Sequence, residues 1–96
     1  MKQDELHGII RDLVAADNAV RQDARIRLLQ LDEMIISDLI DQFYAGVNET
    51  TGIALLGIIG EIGGYEALQL LEDVDEHERD AWRAVAGSWL KHDGRR

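Results

Sequence analysis

The sequence predicts an all-α fold, an α-solenoid of about six antiparallel helices that fills residues 1–96 as a single domain. Three observations predict it. Apolar residues recur at helical spacing through most of the chain, and no segment alternates as a half-buried strand does. Short polar or glycine-containing segments separate these stretches. The third observation is an internal repeat along the chain. The length of 96 residues suffices for one hydrophobic core and therefore for a single domain.

Each predicted helix has its own punctuation. The segment "AADN" precedes the second helix, "AGVNETTG" precedes the fourth, and "GG" separates the fourth from the fifth. We expect Asp17, Asn48 and Asp75 to cap the second, fourth and sixth helices. Connections this short make consecutive helices antiparallel neighbours, so the six helices form stacked hairpins. The predicted cores are residues 4–15, 19–31, 33–44, 51–62, 65–74 and 76–91.

The hairpins repeat. A shift of 31 residues superimposes the apolar pattern of the second and third helices on that of the fourth and fifth, and a further shift of 27 carries the fourth helix onto the sixth. This periodicity is typical of helical solenoids. The matched positions of the second, fourth and sixth helices are Ala24, Leu55 and Trp82, then Leu28, Ile59 and Ala86, then Leu31, Ile62 and Trp89.

Three phrases resemble one family. "DNAVRQDA" (17–24) and "DEHERDAW" (75–82) are similar to the opening of the second helix in HEAT-like repeats of the phycobilisome-lyase type, and "LLGIIGEIGGYEALQLL" resembles the segment that joins one such repeat to the next. The resemblance extends from Asp17 to Leu90. It implies a right-handed solenoid whose second helices form a concave, partner-binding face. The middle unit departs from the pattern at Asn48 and Gly52, where Asp and Arg are expected, and the last unit at Glu78.

The glycines near the middle of the chain have different expected roles. Gly63 and Gly64 are expected to supply the positive φ that ends the fourth helix. Gly60 lies on a helix wall that faces a neighbouring repeat, where a small residue permits close approach. Gly57 lies away from both walls, although a glycine inside a helix costs about 1 kcal/mol relative to alanine. Two explanations stay open for it: a tolerant helix, or a surface that a partner approaches closely.

The repeat register places Gly57 in a predicted binding face. The face would be a shallow groove with a floor of small residues and a few polar side chains, and the resemblance implies that it binds a partner. Its predicted residues are Asp23, Ile26, Arg27 and Gln30 on the second helix, Ala54, Gly57, Ile58 and Glu61 on the fourth, and Ala81, Ala84, Val85 and Ser88 on the sixth.

The charge limits the class of partner. Nineteen acidic and ten basic residues give a net charge of −9, divided as −5 over residues 1–50 and −4 over the rest. An acidic domain repels phosphate backbones and anionic lipid, so we expect neither nucleic-acid nor membrane-surface binding, and a basic protein surface suits the chain better. No apolar run reaches the roughly 18 residues of a membrane span, and no signal-peptide pattern is present, so a cytoplasmic location is expected.

The sequence gives little support for catalysis, and we expect no enzyme, cofactor or metal. There is no cysteine, and the two serines, Ser37 and Ser88, have no histidine near them in sequence. Asp73, Asp75 and His77 lack the backbone-ligand pattern of a calcium loop and are expected to be solvated. The glycines lie inside a helical run rather than after a strand, which excludes a phosphate loop.

Two further pairs of residues recur along the chain. Arg21 and Arg79 each follow an acid, Asp17 and Asp75, by four residues, and this spacing predicts intrahelical or inter-repeat ion pairs. Their positions in the repeat are equivalent.

Trp82 and Trp89 occupy core positions of the last helix. No further repeat covers the outer wall of that helix, where Gly87 and Leu90 are expected. Two outcomes stay open: the polar tail "KHDGRR" caps this end, or the end forms a homodimer interface.

The leading hypothesis is a non-enzymatic helical-repeat scaffold that binds another protein through the face of its second, fourth and sixth helices. One alternative is a small acidic inhibitor or immunity-type protein that masks a basic site. A second alternative, implied by the family resemblance, is a bilin-handling accessory related to the phycobilisome lyases.

Overall fold

The computed structural model describes residues 2–93, and these form helices joined by short connections. The predicted all-helical class is confirmed for this part of the chain. Its radius of gyration of 12.6 Å indicates compact packing. The helices are α1 (Gln3–Asp12), α2 (Asn18–Leu31), α3 (Glu33–Ala45), α4 (Glu49–Ile62), α5 (Tyr65–His77) and α6 (Asp80–Asp93).

Two of the three predicted caps are confirmed. The Asp17 side chain accepts a hydrogen bond from the backbone N–H of Ala19 at 2.8 Å, and the Asn48 side chain accepts one from Thr51 at 2.8 Å. The predicted cap at Asp75 is wrong, because α5 continues past it to His77. Nothing in "DEH" stops a helix: it holds neither glycine nor proline.

Consecutive helices pack against each other as pairs, α1 on α2, α3 on α4 and α5 on α6. We call α2, α4 and α6 the even row, because α4 contacts both α2 and α6. Beside this row, α3 packs on α5, whereas α1 packs on α4. The helix α4 is therefore the central element, in contact with every other helix of the described chain.

The core runs between the even row and the remaining helices. Among the described residues no buried side chain is polar or charged. Burying each large aliphatic side chain contributes about 1.5–3 kcal/mol. The largest fully buried side chains are Leu6, Leu28, Leu39, Leu55, Leu56, Ile59, Leu71 and Val74.

Two tryptophans of α6 pack directly on two glycines of α4. A Cβ atom at Gly52 would lie 2.3 Å from the Trp82 ring, and one at Gly60 would lie 2.5 Å from the Trp89 ring. Real Cβ atoms do not come this close to another atom, so no other residue fits at either position without displacing an indole. Trp82 is fixed further by its Nε1–H, which donates to the backbone oxygen of Glu49 at 3.0 Å. Gly60 thus permits the close approach of α6 to α4, as predicted. Gly52, at which the sequence departs from the repeat pattern, is required for the same steric reason.

The turn between α4 and α5 consists of the two glycines predicted for it. Gly63 has φ 74° and Gly64 has φ 96°, values that favour glycine. The backbone N–H of Gly63 still donates to the oxygen of Ile59 at 3.0 Å, which completes the last turn of α4.

Gly87 and Leu90 do not form the uncovered outer wall that was predicted for the last helix. Leu90 is half-buried and packs on the core, and a Cβ at Gly87 would lie 3.4 Å from the carboxylate of Asp75 in α5. These two residues therefore face the protein. Of the predicted polar cap, residues 94–96 lie outside the described part of the chain, so that hypothesis stays a prediction.

Candidate binding surface

Most residues of the predicted face are accessible on the even row. Ala54 and Gly57 of α4 are half-buried, as are Ala81 and Val85 of α6. The expectation for Ile58 is wrong: it is 4% exposed and belongs to the core, because α4 is covered on that side by its neighbours. The accessible members are Asp23, Ile26, Arg27, Gln30, Glu61, Ala84 and Ser88.

A groove of about 300 Å³ lies beside α4 on the even row. Its polar wall comes from α2, whereas α4 contributes small and aliphatic residues. Leu13 and Trp89 complete the lining. The polar wall consists of Arg21, Gln22 and Arg25, and the floor of Ala54, Gly57 and Ile58.

The two arginines of this groove are held by different partners. Arg25 of α2 forms an ion pair with Glu61 of α4, which joins the two helices across the surface. Arg21 donates to the backbone oxygens of Ala15 at 2.7 Å and Ala16 at 2.9 Å, at the end of the α1–α2 connection. Both guanidinium groups therefore have fixed positions. The Arg25 pair is partly exposed, so its contribution to stability is below about 1 kcal/mol.

The predicted ion pairs at the two equivalent arginines are not formed. Arg21 hydrogen-bonds the backbone, and Asp17 is engaged as the cap of α2. Arg79 lies over the ring of Trp82, with its guanidinium carbon 4.3 Å from the ring centroid, a cation–π contact. Asp75 lies inside α5 rather than ahead of Arg79 on one helix, so the assumed spacing did not apply.

Gly57 forms an open part of the groove floor. A Cβ built at this glycine would meet no heavy atom within 4 Å, in contrast to Gly52 and Gly60. Tight packing therefore does not explain Gly57. Ile53, one turn before Gly57 on α4, is 39% exposed, and Ile26 on α2 is 51% exposed, so both helices that line the groove also carry exposed apolar side chains.

Polar side chains border the same face. Arg27 and Asp23 form an ion pair one turn apart on α2, with Nε and Oδ2 3.0 Å apart, and both side chains are exposed. Together with Gln30 and the Arg25–Glu61 pair, they give the even row both signs of charge. Such a surface can donate and accept hydrogen bonds around an apolar centre, which is the usual composition of a protein-binding site.

The groups that could support chemistry are few in the described residues. No cluster of three or more His, Asp or Glu side chains there could hold a metal ion. Asp73, Asp75 and His77, for which no metal site was expected, do not converge: His77 Nε2 lies 3.9 Å from Asp73 Oδ1, whereas Asp75 points towards α6. Within residues 2–93, no helix combines the length and apolar character needed to cross a bilayer.

Comparison of the chain with protein-family models, with curated proteins and with solved structures finds no match in any of the three. The surface itself must therefore supply the argument for function.

Several lining residues were not part of the predicted face. Arg21 was predicted to form an ion pair and Trp89 to lie in the core, and no partner-binding role was predicted for Gln22 or Arg25. One signal in the sequence could have found three of them: positions 21, 22 and 25 share one side of a helix, adjacent to the predicted face. The contribution of Trp89 depends on how α6 crosses α4, which the sequence does not contain.

Proposed function

We propose that this chain is a non-enzymatic, HEAT-like helical-repeat module, a right-handed solenoid, that binds another protein through the exposed face of its even row. The order of packing along α2, α4 and α6 supports the repeat architecture. The corresponding positions of the three helices, Ile26, Gly57 and Ala84, are each at least partly exposed, which supports a common face.

The observation that carries the proposal is the open floor at Gly57. A glycine there costs about 1 kcal/mol of helix stability, and no neighbouring atom requires it. A partner that approaches the α4 backbone does require it. The groove of about 300 Å³ is at the small end of small-molecule sites, and it suits one or two side chains of a protein partner. An aromatic or aliphatic anchor in such a pocket typically dominates the binding energy of a protein interface.

Filling the floor tests the proposal. We expect Gly57→Leu to keep the helical circular dichroism of the protein, because the added side chain enters open space. It should abolish retention of the cognate partner in affinity capture. Ser37→Leu is the matched control, since it adds the same side chain to an exposed position of α3, away from the even row.

Three outcomes are informative. A partner lost with Gly57→Leu and kept with Ser37→Leu supports the site. Equal retention by both variants contradicts it. Unfolding of Gly57→Leu would show that the exposed register of α4 is misassigned.

Self-association is the competing use of this face. Light scattering after size exclusion, over a hundredfold range of concentration, would detect it. A dimer that Gly57→Leu dissociates and Ser37→Leu does not would make a second copy of the chain the occupant of the groove.

A further inference from the structure

The acidic charge of the protein is concentrated on two adjacent helices. The helix α3 holds three acidic residues and α5 holds five, and neither holds a lysine or arginine. The even row, by contrast, has five acidic and five basic residues and is neutral. The equal division of charge between the two halves of the sequence therefore does not extend to the surface. Where α3 packs on α5, Glu33 and Glu66 lie at the contact, and Asp73 of α5 reaches Tyr44 of α3.

A groove with an apolar floor follows the contact between α3 and α5. It consists of two adjoining cavities of about 260 and 310 Å³ that share Glu66. Ile36, Ile40 and Leu70 form the floor, and Glu33 and Glu66 lie at the edges. From Glu33 to Tyr44 the groove extends for three helical turns, about 16 Å.

Each end of this groove holds a tyrosine. At one end the hydroxyl of Tyr44 donates to Asp73 Oδ2 at 2.6 Å, which fixes the ring across the two helices. Partial burial, this hydrogen bond and the negative charges of Asp73 and Glu78 raise the pKa of Tyr44 to about 12. The neutral ring thus lies in a field that attracts cations. At the other end Tyr65 is 73% exposed beside Gly63 and Gly64.

We propose that this groove docks an amphipathic basic helix of a partner protein. Apolar side chains of that helix would lie on Ile36, Ile40 and Leu70, and its lysines and arginines would lie against Glu33, Glu66 and the tyrosine faces. Charge complementarity selects the occupant, because Glu33, Glu66 and Asp73 border a groove between two helices that hold no lysine or arginine, which favours a cationic partner. The apolar floor distinguishes this partner from a simple polycation, and the length of the groove fits about three helical turns.

This surface is separate from the even row in position and in chemistry, and its proposal does not rest on the function proposed above. A chain with both surfaces would connect two different partners.

A synthetic probe tests the docking surface directly. The probe is a fluorescently labelled helical peptide with leucines on one face and lysines and arginines on the other, titrated with the protein and followed by anisotropy. Two further peptides serve as controls. One replaces the basic residues with glutamate, and one has the same composition in scrambled order. We expect binding of the basic amphipathic peptide alone, weakened by added salt.

Charge reversal locates the binding. Glu33→Lys with Glu66→Lys should weaken binding about tenfold or more, because the reversed charges repel the peptide. The matched control is Asp23→Lys with Asp80→Lys on the even row, which changes the net charge by the same amount on exposed residues and should have little effect. Tyr65→Ala removes an exposed ring and should weaken binding about threefold.

Three results would overturn the proposal: no binding of the basic peptide at low salt, equal binding of the scrambled peptide, or equal weakening by both pairs of charge reversals. The last would mean that only net charge matters. None of these outcomes bears on the Gly57 groove.

Discussion

The two sides of α4 use the same residue for opposite purposes. On the side that faces α6, Gly52 and Gly60 leave room for Trp82 and Trp89, and no atom can be added. On its open face, Gly57 borders empty space. All three glycines cost helix propensity, but only two of them allow a large side chain to be buried. The role of a glycine inside a helix is thus decided by the element packed against it.

The comparison predicts a difference in stability between the two sides. The side towards α6 combines the buried indole of Trp82 and the half-buried indole of Trp89. Trp82 also donates a hydrogen bond to the backbone oxygen of Glu49 and contacts Phe43, whose ring centroid is 4.7 Å away. The side towards α2 carries a partly exposed ion pair and an open groove. Changes on the first side should destabilise the fold, and changes at Gly57 should not.

The largest effect is expected for Trp82→Ala. Removal of a buried indole leaves a cavity, so the free energy of unfolding should fall by about 3–5 kcal/mol. Urea denaturation followed by circular dichroism measures this change. Tyr65→Ala is the control, since the ring of Tyr65 is mostly exposed and its loss should have a small effect. A loss below about 1 kcal/mol for Trp82→Ala would show that α6 is not anchored by this indole.

An intermediate effect is expected for Gly52→Ala, and an equivalent one for Gly60→Ala. The new methyl group would overlap the indole, so each substitution should destabilise by about 1–3 kcal/mol despite the better helix propensity of alanine. In the Trp82→Ala background Gly52→Ala should stabilise the protein rather than destabilise it, because the obstructing ring is gone. Chemical denaturation of the four proteins of this cycle checks both claims. If Gly52→Ala still destabilises the protein without the indole, the loss of stability arises from the backbone of α4 and not from the clash with Trp82.

The smallest effect is expected for Gly57→Ala, and it has the opposite sign. The methyl group enters open space, so alanine should stabilise the protein by about 1 kcal/mol through helix propensity alone. The midpoint of urea unfolding should rise accordingly. A fall in stability would mean that the new methyl group clashes with a neighbouring atom, and the contrast between the two sides of α4 would then not hold.

The local features of the fold could be predicted because they depend on nearby residues. The spacing of apolar residues predicted the helices, and the positions of Asp17 and Asn48 predicted two helix caps. Gly63 and Gly64 predicted the turn that they form. The boundary between α5 and α6 was misplaced because an acidic residue inside a helix looks, in sequence, like an acidic cap. The backbone of the folded chain shows that α5 continues past Asp75 to His77.

The features that depend on distant residues could not be predicted. Ile58 was placed on the exposed face because a helical wheel does not show which side a neighbouring helix covers. The groove between α3 and α5 was not predicted, because charge was counted along the chain rather than by helix. The contact of α3 with α5 is also a feature of the tertiary structure that the sequence does not show. Charge counted on each predicted helix would have shown two adjacent odd-numbered helices without a single lysine or arginine.

The position of the indoles also determines what fluorescence can report. Both tryptophans lie on α6 and pack on α4, and no aromatic residue precedes Phe43 in the chain. Trp82 therefore monitors the α4–α6 pair, whereas Trp89 also borders the groove wall that α2 forms. If the first hairpin opened separately, the emission of Trp82 would stay native while that of Trp89 changed and circular dichroism recorded the loss of helix. A thermal melt followed by total tryptophan emission would thus mix the two signals and underweight this first step.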